Sequence, residues 1–258
     1  MDLPPSIDTT VAHPARRYDY WLGGKDNFAA DRASGDAIAA KFPAIRTAVV
    51  QNRHFLRRAV SYLAGEAGVR QFLDIGTGLP TVDNTHEVAQ RTAPDSRVVY
   101  VDNDPLVLVH ARALLTSSPQ GSTAYVDADV RDPAKILEQA DLDLSQPVAL
   151  MLLAILHFIP DEDDPHAIVQ RLVSALPPGS YVAISHATSD YLPADVVAEI
   201  NSGKHGAGRL RTRDEITRFF AGLDPVTPGI VPLAGWRAEQ PGPPADEVAM
   251  YAGVARIP

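Results

Sequence analysis

From residue 71 onward the chain alternates short, unbroken apolar runs with helical stretches, and this alternation limits the possible folds more than any other feature. The apolar runs fall at 71–75, 98–101, 124–126, 148–153 and 181–185, and the helical stretches at 84–91, 105–115, 133–139 and 167–176. A strand that is apolar on both faces must be covered on both, which a parallel sheet flanked by helices achieves. Right-handed crossovers then predict an α/β fold, a doubly wound and mostly parallel sheet. The tail breaks the rhythm. A helix is expected at 195–201, a flexible glycine loop at 203–208 carries His205, and Thr212 and Glu215 have capping-box spacing before a helix that ends near Ala221. Two strands then follow, at 226–231 and 248–255, with no helix between them. That predicts a C-terminal antiparallel hairpin at the sheet edge.

Upstream, residues 1–13 read as irregular, and helices are expected at 31–41 and 44–63. The expected organisation is an N-terminal lid and helical cap over 1–65, followed by one sheet-bearing unit over 66–258. No internal repeat interrupts it.

Composition narrows the chemistry. The 258 residues are 45% hydrophobic and 21% charged, which suits a packed core rather than a disordered chain. A formal charge of −9 disfavours nucleic acid and anionic membrane as partners. With no cysteine, disulfides, thiolate metal sites and a cysteine nucleophile are all excluded. The N-terminus lacks a basic-then-apolar leader, and the best apolar run, 148–159, is too short to span a bilayer and contains His157. A cytoplasmic location is expected.

The chemistry-bearing segment is Phe72-Leu73-Asp74-Ile75-Gly76-Thr77-Gly78, an apolar strand running into a glycine turn. Glycines there let the backbone turn sharply and approach a ligand closely. The helix that follows is expected to offer free N–H groups to the ligand. Asp102 closes the next strand, 24 residues after Gly78, near the spacing of an acidic residue that accepts both hydroxyls of a ribose. Asn103 follows it. Thr81 stands where a dinucleotide site would place its third glycine, and Asp74 precedes the first glycine, positioned for an amino group that NAD lacks.

The run resembles the acidic-x-Gly-x-Gly signature of S-adenosylmethionine-dependent methyltransferases, with Pro80 where a further glycine is common. The segment 15–28, including Arg16, Arg17, Tyr18, Tyr20, Trp21, Gly23 and Gly24, resembles the opening motif of an actinobacterial family of such enzymes, formerly a family of unknown function. Gln51-Asn52-Arg53 and Val101-Asp102-Asn103-Asp104-Pro105 match it too, so the resemblance covers most of the chain from Ala15. It implies a class I, Rossmann-like methyltransferase with S-adenosyl-L-methionine as cofactor. By that resemblance Asp129 would meet the adenine amino group, Val130 would pack on the ring, and 153–159, beginning at Leu153, would line the sulfonium and the acceptor. Tyr18, Tyr20 and Trp21 would form a lid bending at Gly23. Arg53, on its own chemistry, is a candidate to bind substrate, pairing with a carboxylate of ligand or protein.

His157 and His186 fall near C-terminal strand ends, where ligands bind in open sheets, and are the candidate general bases. The remaining histidines show no metal-ligand spacing, so no metal is expected. The expected reaction is direct methyl transfer to an oxygen or nitrogen of a small molecule, with self-association left open. The alternatives are a non-catalytic protein holding S-adenosylmethionine or S-adenosylhomocysteine, and an NAD-dependent oxidoreductase.

Overall fold

The computed structural model describes residues 7–114, 116–203 and 208–258. His205 and the tip of the glycine loop lie outside the described residues, as do residues 1–6. Three helices come first: α1 (Pro14–Trp21), α2 (Ala29–Lys41) and α3 (Ile45–Gly65). Strand and helix then alternate through β1 (Gln71–Ile75), α4 (Thr85–Thr92), β2 (Arg97–Asp102), α5 (Pro105–Leu114), β3 (Ser122–Asp127), α6 (Pro133–Gln139), β4 (Val148–Leu153), α7 (Pro165–Ser174) and β5 (Tyr181–Ala187). The tail adds α8 (Ala194–Asn201), α9 (Arg213–Thr217), β6 (Asp224–Pro225), β7 (Val231–Pro232), α10 (Ala245–Val248) and β8 (Met250–Arg256).

The sheet runs β3-β2-β1-β4-β5-β8-β6, with β7 also on β8. The first five strands are parallel, and β8 is antiparallel to β5, β6 and β7. This is the expected mostly parallel sheet with an antiparallel C-terminal element, but α10 stands between the tail strands, where the sequence predicts no helix. The expected strand at 226–231 is instead two short ones. A turn at Pro228 and Gly229, whose φ is +84°, separates them. Proline lacks the donor a continuous ladder needs.

Burial follows the two-residue strand period. Phe72, Val98, Tyr100, Ala149 and Met151 face a core shared with α3, α4 and α10. Leu73, Val99, Val101, Leu150 and Leu152 face the opposite core, filled by Ile136 of α6 and Ile168, Val169 and Leu172 of α7. Both faces are therefore covered. Thr212 caps α9 and Glu215 returns the bond, as their spacing requires. Among the described residues no helix is long and apolar enough to cross a membrane.

The chain reverses direction across the sheet between β1 and β4. β2 and β3 extend one way and β4 and β5 the other. Open α/β sheets bind ligands beyond the strand C-termini at such a switch point.

Candidate active site

A cavity of about 300 Å³ opens at the switch point. Its wall takes Asp74 to Leu79 after β1, Asp102 and Asn103 from β2, Ala128 to Arg131 after β3, and Leu153 to Ile155 with Phe158 and Ile159 after β4. Asn52, Arg53 and Leu56 of α3 close one side, and residues 12–15 and 17–19, largely of α1, close another.

The glycine turn is fixed by the strands. Gly76 and Thr77 donate to the Val101 carbonyl at 2.8 and 3.3 Å. Gly76 has φ +73°, and a Cβ there would come within 2.7 Å of Ile155 Cδ1, so only glycine fits. Gly78 also has a positive φ, and its N–H donates to Asp102 Oδ2 at 2.9 Å. Asp102 Oδ1 accepts from the Asp104 N–H at 2.9 Å. Burial pushes the Asp102 carboxyl up, while these two N–H groups and His13 oppose the rise. Asp74 accepts from Thr85 Oγ1 at 2.6 Å. Burial raises it to about 6, against the pull of Thr85 and the Arg53 charge, and the Asp102 charge adds to the rise.

The helix after the turn starts at Thr85, as its expected bounds require, but it does not offer its N–H groups to the cavity. Residues 79–84 intervene, and the N-terminus of α4 is closed by the Asn84–Glu87 capping box. No residue of its first turn lines the cavity. The loop is anchored instead by Arg53, whose Nη2 donates to the carbonyls of Val82 and Asp83 at 3.2 and 2.9 Å, and by Arg57 on the Asp83 carboxylate at 3.1 Å.

At the β3 end, Asp129 accepts from Asn103 Nδ2 at 2.7 Å and pairs with Arg131 at 3.0 Å. Val130 and Leu153 are buried in the same wall. Over the opposite end, Tyr18 donates to the Val49 carbonyl at 3.0 Å and accepts from Asn52 Nδ2 at 3.0 Å. Asn52 Oδ1 accepts from Ser185 Oγ at 2.6 Å, and Ser185 Oγ accepts from the Ala154 N–H at 2.9 Å. Ala154 is held at φ +54°. This chain of polar contacts joins α1, α3, β5 and the turn after β4. Asn52 carries it, and sequence reasoning gave that residue no role: its partner Ser185 is 133 positions away.

The structure thus gathers Asp74, Gly76, Thr77, Gly78, Asp102, Asn103, Asp129, Val130, Leu153, Tyr18 and Arg53 around one cavity. Tyr20, Trp21 and Gly23 stand outside its wall. Tyr20 donates to Asp36 at 2.8 Å, and Trp21 is buried on α2 with its Nε1 on the Gly35 carbonyl at 3.2 Å. Gly23, at φ +83°, turns the chain after α1.

His157 and His186 also lie outside the wall, with rings 5.5 Å apart. His186 Nδ1 donates to the Ala187 carbonyl at 2.6 Å, which leaves Nε2 to accept from Arg211 Nη1 at 3.1 Å. That fixes a neutral tautomer, and burial pushes its pKa well down. His157 Nδ1 accepts from the Ala187 N–H at 3.4 Å, and burial, with the charges of Arg211 and Arg17, pushes it down to about 3. Both imidazoles are neutral near pH 7. Arg211, itself buried, also donates to the carbonyls of Leu156 and Ile159 at 3.1 and 3.0 Å and so holds the segment after β4 in place. Among the described residues no cluster of three or more His, Asp or Glu stands ready for a metal ion.

Comparison with known proteins agrees with this geometry. A DUF574 family protein from Streptomyces avermitilis is 49% identical, with 98% of this chain and 100% of that chain aligned at a TM-score of 0.93. A candidate methyltransferase from Thermobifida fusca is 43% identical, with 98% of each chain aligned at a TM-score of 0.89. An O-methyltransferase family protein from Burkholderia thailandensis shares the fold alone, at 16% identity and a TM-score of 0.53 over 78% of this chain and 55% of that one. No protein of curated function matches. Residues 2–258 match the S-adenosyl methyltransferase family, and the chain belongs to it: an enzyme of the methyltransferase class, with S-adenosylmethionine as cofactor.

Proposed function

We propose that the enzyme methylates an oxygen or nitrogen nucleophile of a small molecule, with the cofactor along the ends of β1 to β4 and the acceptor beneath α1. One observation carries this reading. Asp74 and Asp102 are buried carboxylates in the cavity wall, and among the described residues neither forms an ion pair, while the β4 side of the cavity is apolar. Buried carboxylates want donors, and an ammonium and a ribose diol supply them. Asp102 takes the diol and Asp74 the amino group. Val130 and Leu153 flank the adenine, whose amino group faces the Asp129–Asn103 pair. Arg53 is the cation for the cofactor's carboxylate.

When bound, S-adenosylmethionine brings a methyl group already activated on a sulfonium. The chain's own work is to orient and to exclude water. Arg211 and the Asn52–Ser185 pair set the turn after β4. The α1 segment acts as the lid: Asp104 sits 3.0 Å from His13 Nδ1 and 3.3 Å from Arg16 Nε, and Asp31 accepts the His13 N–H at 2.8 Å. A cavity roofed this way suits a small acceptor, and the acidic chain suits neither nucleic acid nor membrane. The test is calorimetric titration with S-adenosylmethionine and S-adenosylhomocysteine, followed by incubation of labelled cofactor with small-molecule extracts. Both ligands should bind and label should appear in a small molecule; transfer only to protein or nucleic acid would refute the acceptor class.

A further inference from the structure

The segment 19–27 builds one feature that cofactor binding leaves unused. Asp19, at the end of α1, is 6% exposed and lines the cavity. Its Oδ2 accepts from the Asp26 N–H at 3.0 Å and from Asn27 Nδ2 at 2.9 Å. Asn27 is itself held, donating to the Gly24 carbonyl at 3.0 Å and accepting from Arg32 at 3.0 Å. One carboxylate oxygen is therefore tied down, which fixes the rotation of the group. The other, Oδ1, accepts no hydrogen bond from any described residue. Gly24 lies directly against it, and a Cβ at that position would fall on Oδ1. This accounts for the second glycine of Leu22-Gly23-Gly24-Lys25-Asp26-Asn27. Among the described residues no ion pair to Asp19 is formed; Arg16 pairs with Asp104, and Arg32 donates to Asn27.

We propose that Asp19 is the acceptor-binding carboxylate and that the acceptor is an amine; this rests on the methyltransferase reading above. A buried carboxylate without a cation is costly, and a charged donor relieves that cost more fully than a neutral one. An acidic acceptor would add like charge. Tyr18, Phe158 and Ile159, in the same wall, suit an apolar or aromatic remainder. An ammonium has no free electron pair on nitrogen. As Oδ1 takes one proton, the N–H bond breaks, an O–H bond forms and the pair stays on nitrogen, leaving it nucleophilic. The lid helix is thereby part of the acceptor site.

The test is binding, read by calorimetry with and without S-adenosylhomocysteine. The probes are a panel of primary amines up to phenethylamine, with phenethyl alcohol and 3-phenylpropanoate as the neutral and anionic counterparts. At least one amine should bind more than tenfold tighter than its counterparts. Asp19→Asn, which keeps both bonds to Oδ2 in the same shape, should weaken it at least tenfold while S-adenosylhomocysteine affinity stays within twofold. Gly24→Ala, which displaces the carboxylate but keeps its charge, should give the same loss. Equal or absent binding by every amine, or an unchanged amine affinity in Asp19→Asn, overturns the proposal. So does loss of S-adenosylhomocysteine binding in that variant, which would place Asp19 on the cofactor. Failure of the wild type to bind S-adenosylhomocysteine refutes the cofactor reading instead, and the titration without it still reports on Asp19.

Discussion

A carboxylate with no cation beside it is among the most expensive groups to bury, and its titration reports what it is there to meet. Asp74 sits near 6 because water has been removed from around it. The ionised form alone can receive an ammonium. Cofactor affinity should therefore fall about tenfold for each pH unit below 6, and a calorimetric pH series on Asp74→Asn should lose that slope. A slope that persists in the variant would assign the proton elsewhere. Asp102→Ala should weaken S-adenosylhomocysteine binding more than tenfold with the fold intact, checked by titration alongside circular dichroism. Both residues were legible in the sequence because strand ends at fixed spacing leave them few places to point. The histidines were not. Position at a strand end suggested two bases, but the burial that keeps both imidazoles neutral, with the Arg211 charge adding to it, is set only by the fold.

At the scale of the element, α1 shows why the N-terminal cap resisted sequence reading. It buries Arg16, Arg17 and Asp19 alongside Trp21. A helix held by ion pairs lacks the apolar stripe that marks a helix in sequence. Aromatic content drew attention to Tyr20 and Trp21, yet the cavity wall ends at Asp19, and beyond it the chain packs on α2. In the proposed lid the latch centres on Asp104, with Asp31 holding the His13 N–H beside it; burial raises the Asp104 carboxyl, but His13 and Arg16 hold it below the usual carboxylate range. Asp104→Asn should release the lid while sparing the sheet. Hydrogen exchange should accelerate at least tenfold over residues 14–21 and stay unchanged over 71–75. Uniform acceleration across both segments would mean that the latch supports the whole fold rather than the lid.

At the scale of the molecule, the alternation of apolar runs and helices was enough for the sheet, because covering both faces leaves one architecture. The polar core was not legible, since its partners lie far apart in the chain. That polar core sets how stability responds to pH, through opposed groups. His157 and His186 are held neutral in the fold, so on acidification through 6.5 the unfolded chain takes protons that the native state refuses. Their contribution is present above 6.5 and is lost as pH falls, for His157 toward about 3. Asp74 works in the other direction. Between 3.8 and about 6 the native state keeps a proton that the unfolded chain has released, so its contribution is lost as pH rises through that window. The two effects partly cancel, and each proton is worth about 1.4 kcal/mol per pH unit. Urea denaturation at pH 4, 5 and 6 should show Asp74→Asn steepening the rise of stability with pH by about one proton, leaving the variant on the order of 3 kcal/mol more stable than wild type above pH 6. His157→Asn should flatten the same rise by about one proton. Parallel profiles for all three proteins would show that burial of these groups does not govern acid stability, and the higher stability of Asp74→Asn at neutral pH would mark Asp74 as kept for its ligand rather than for the fold.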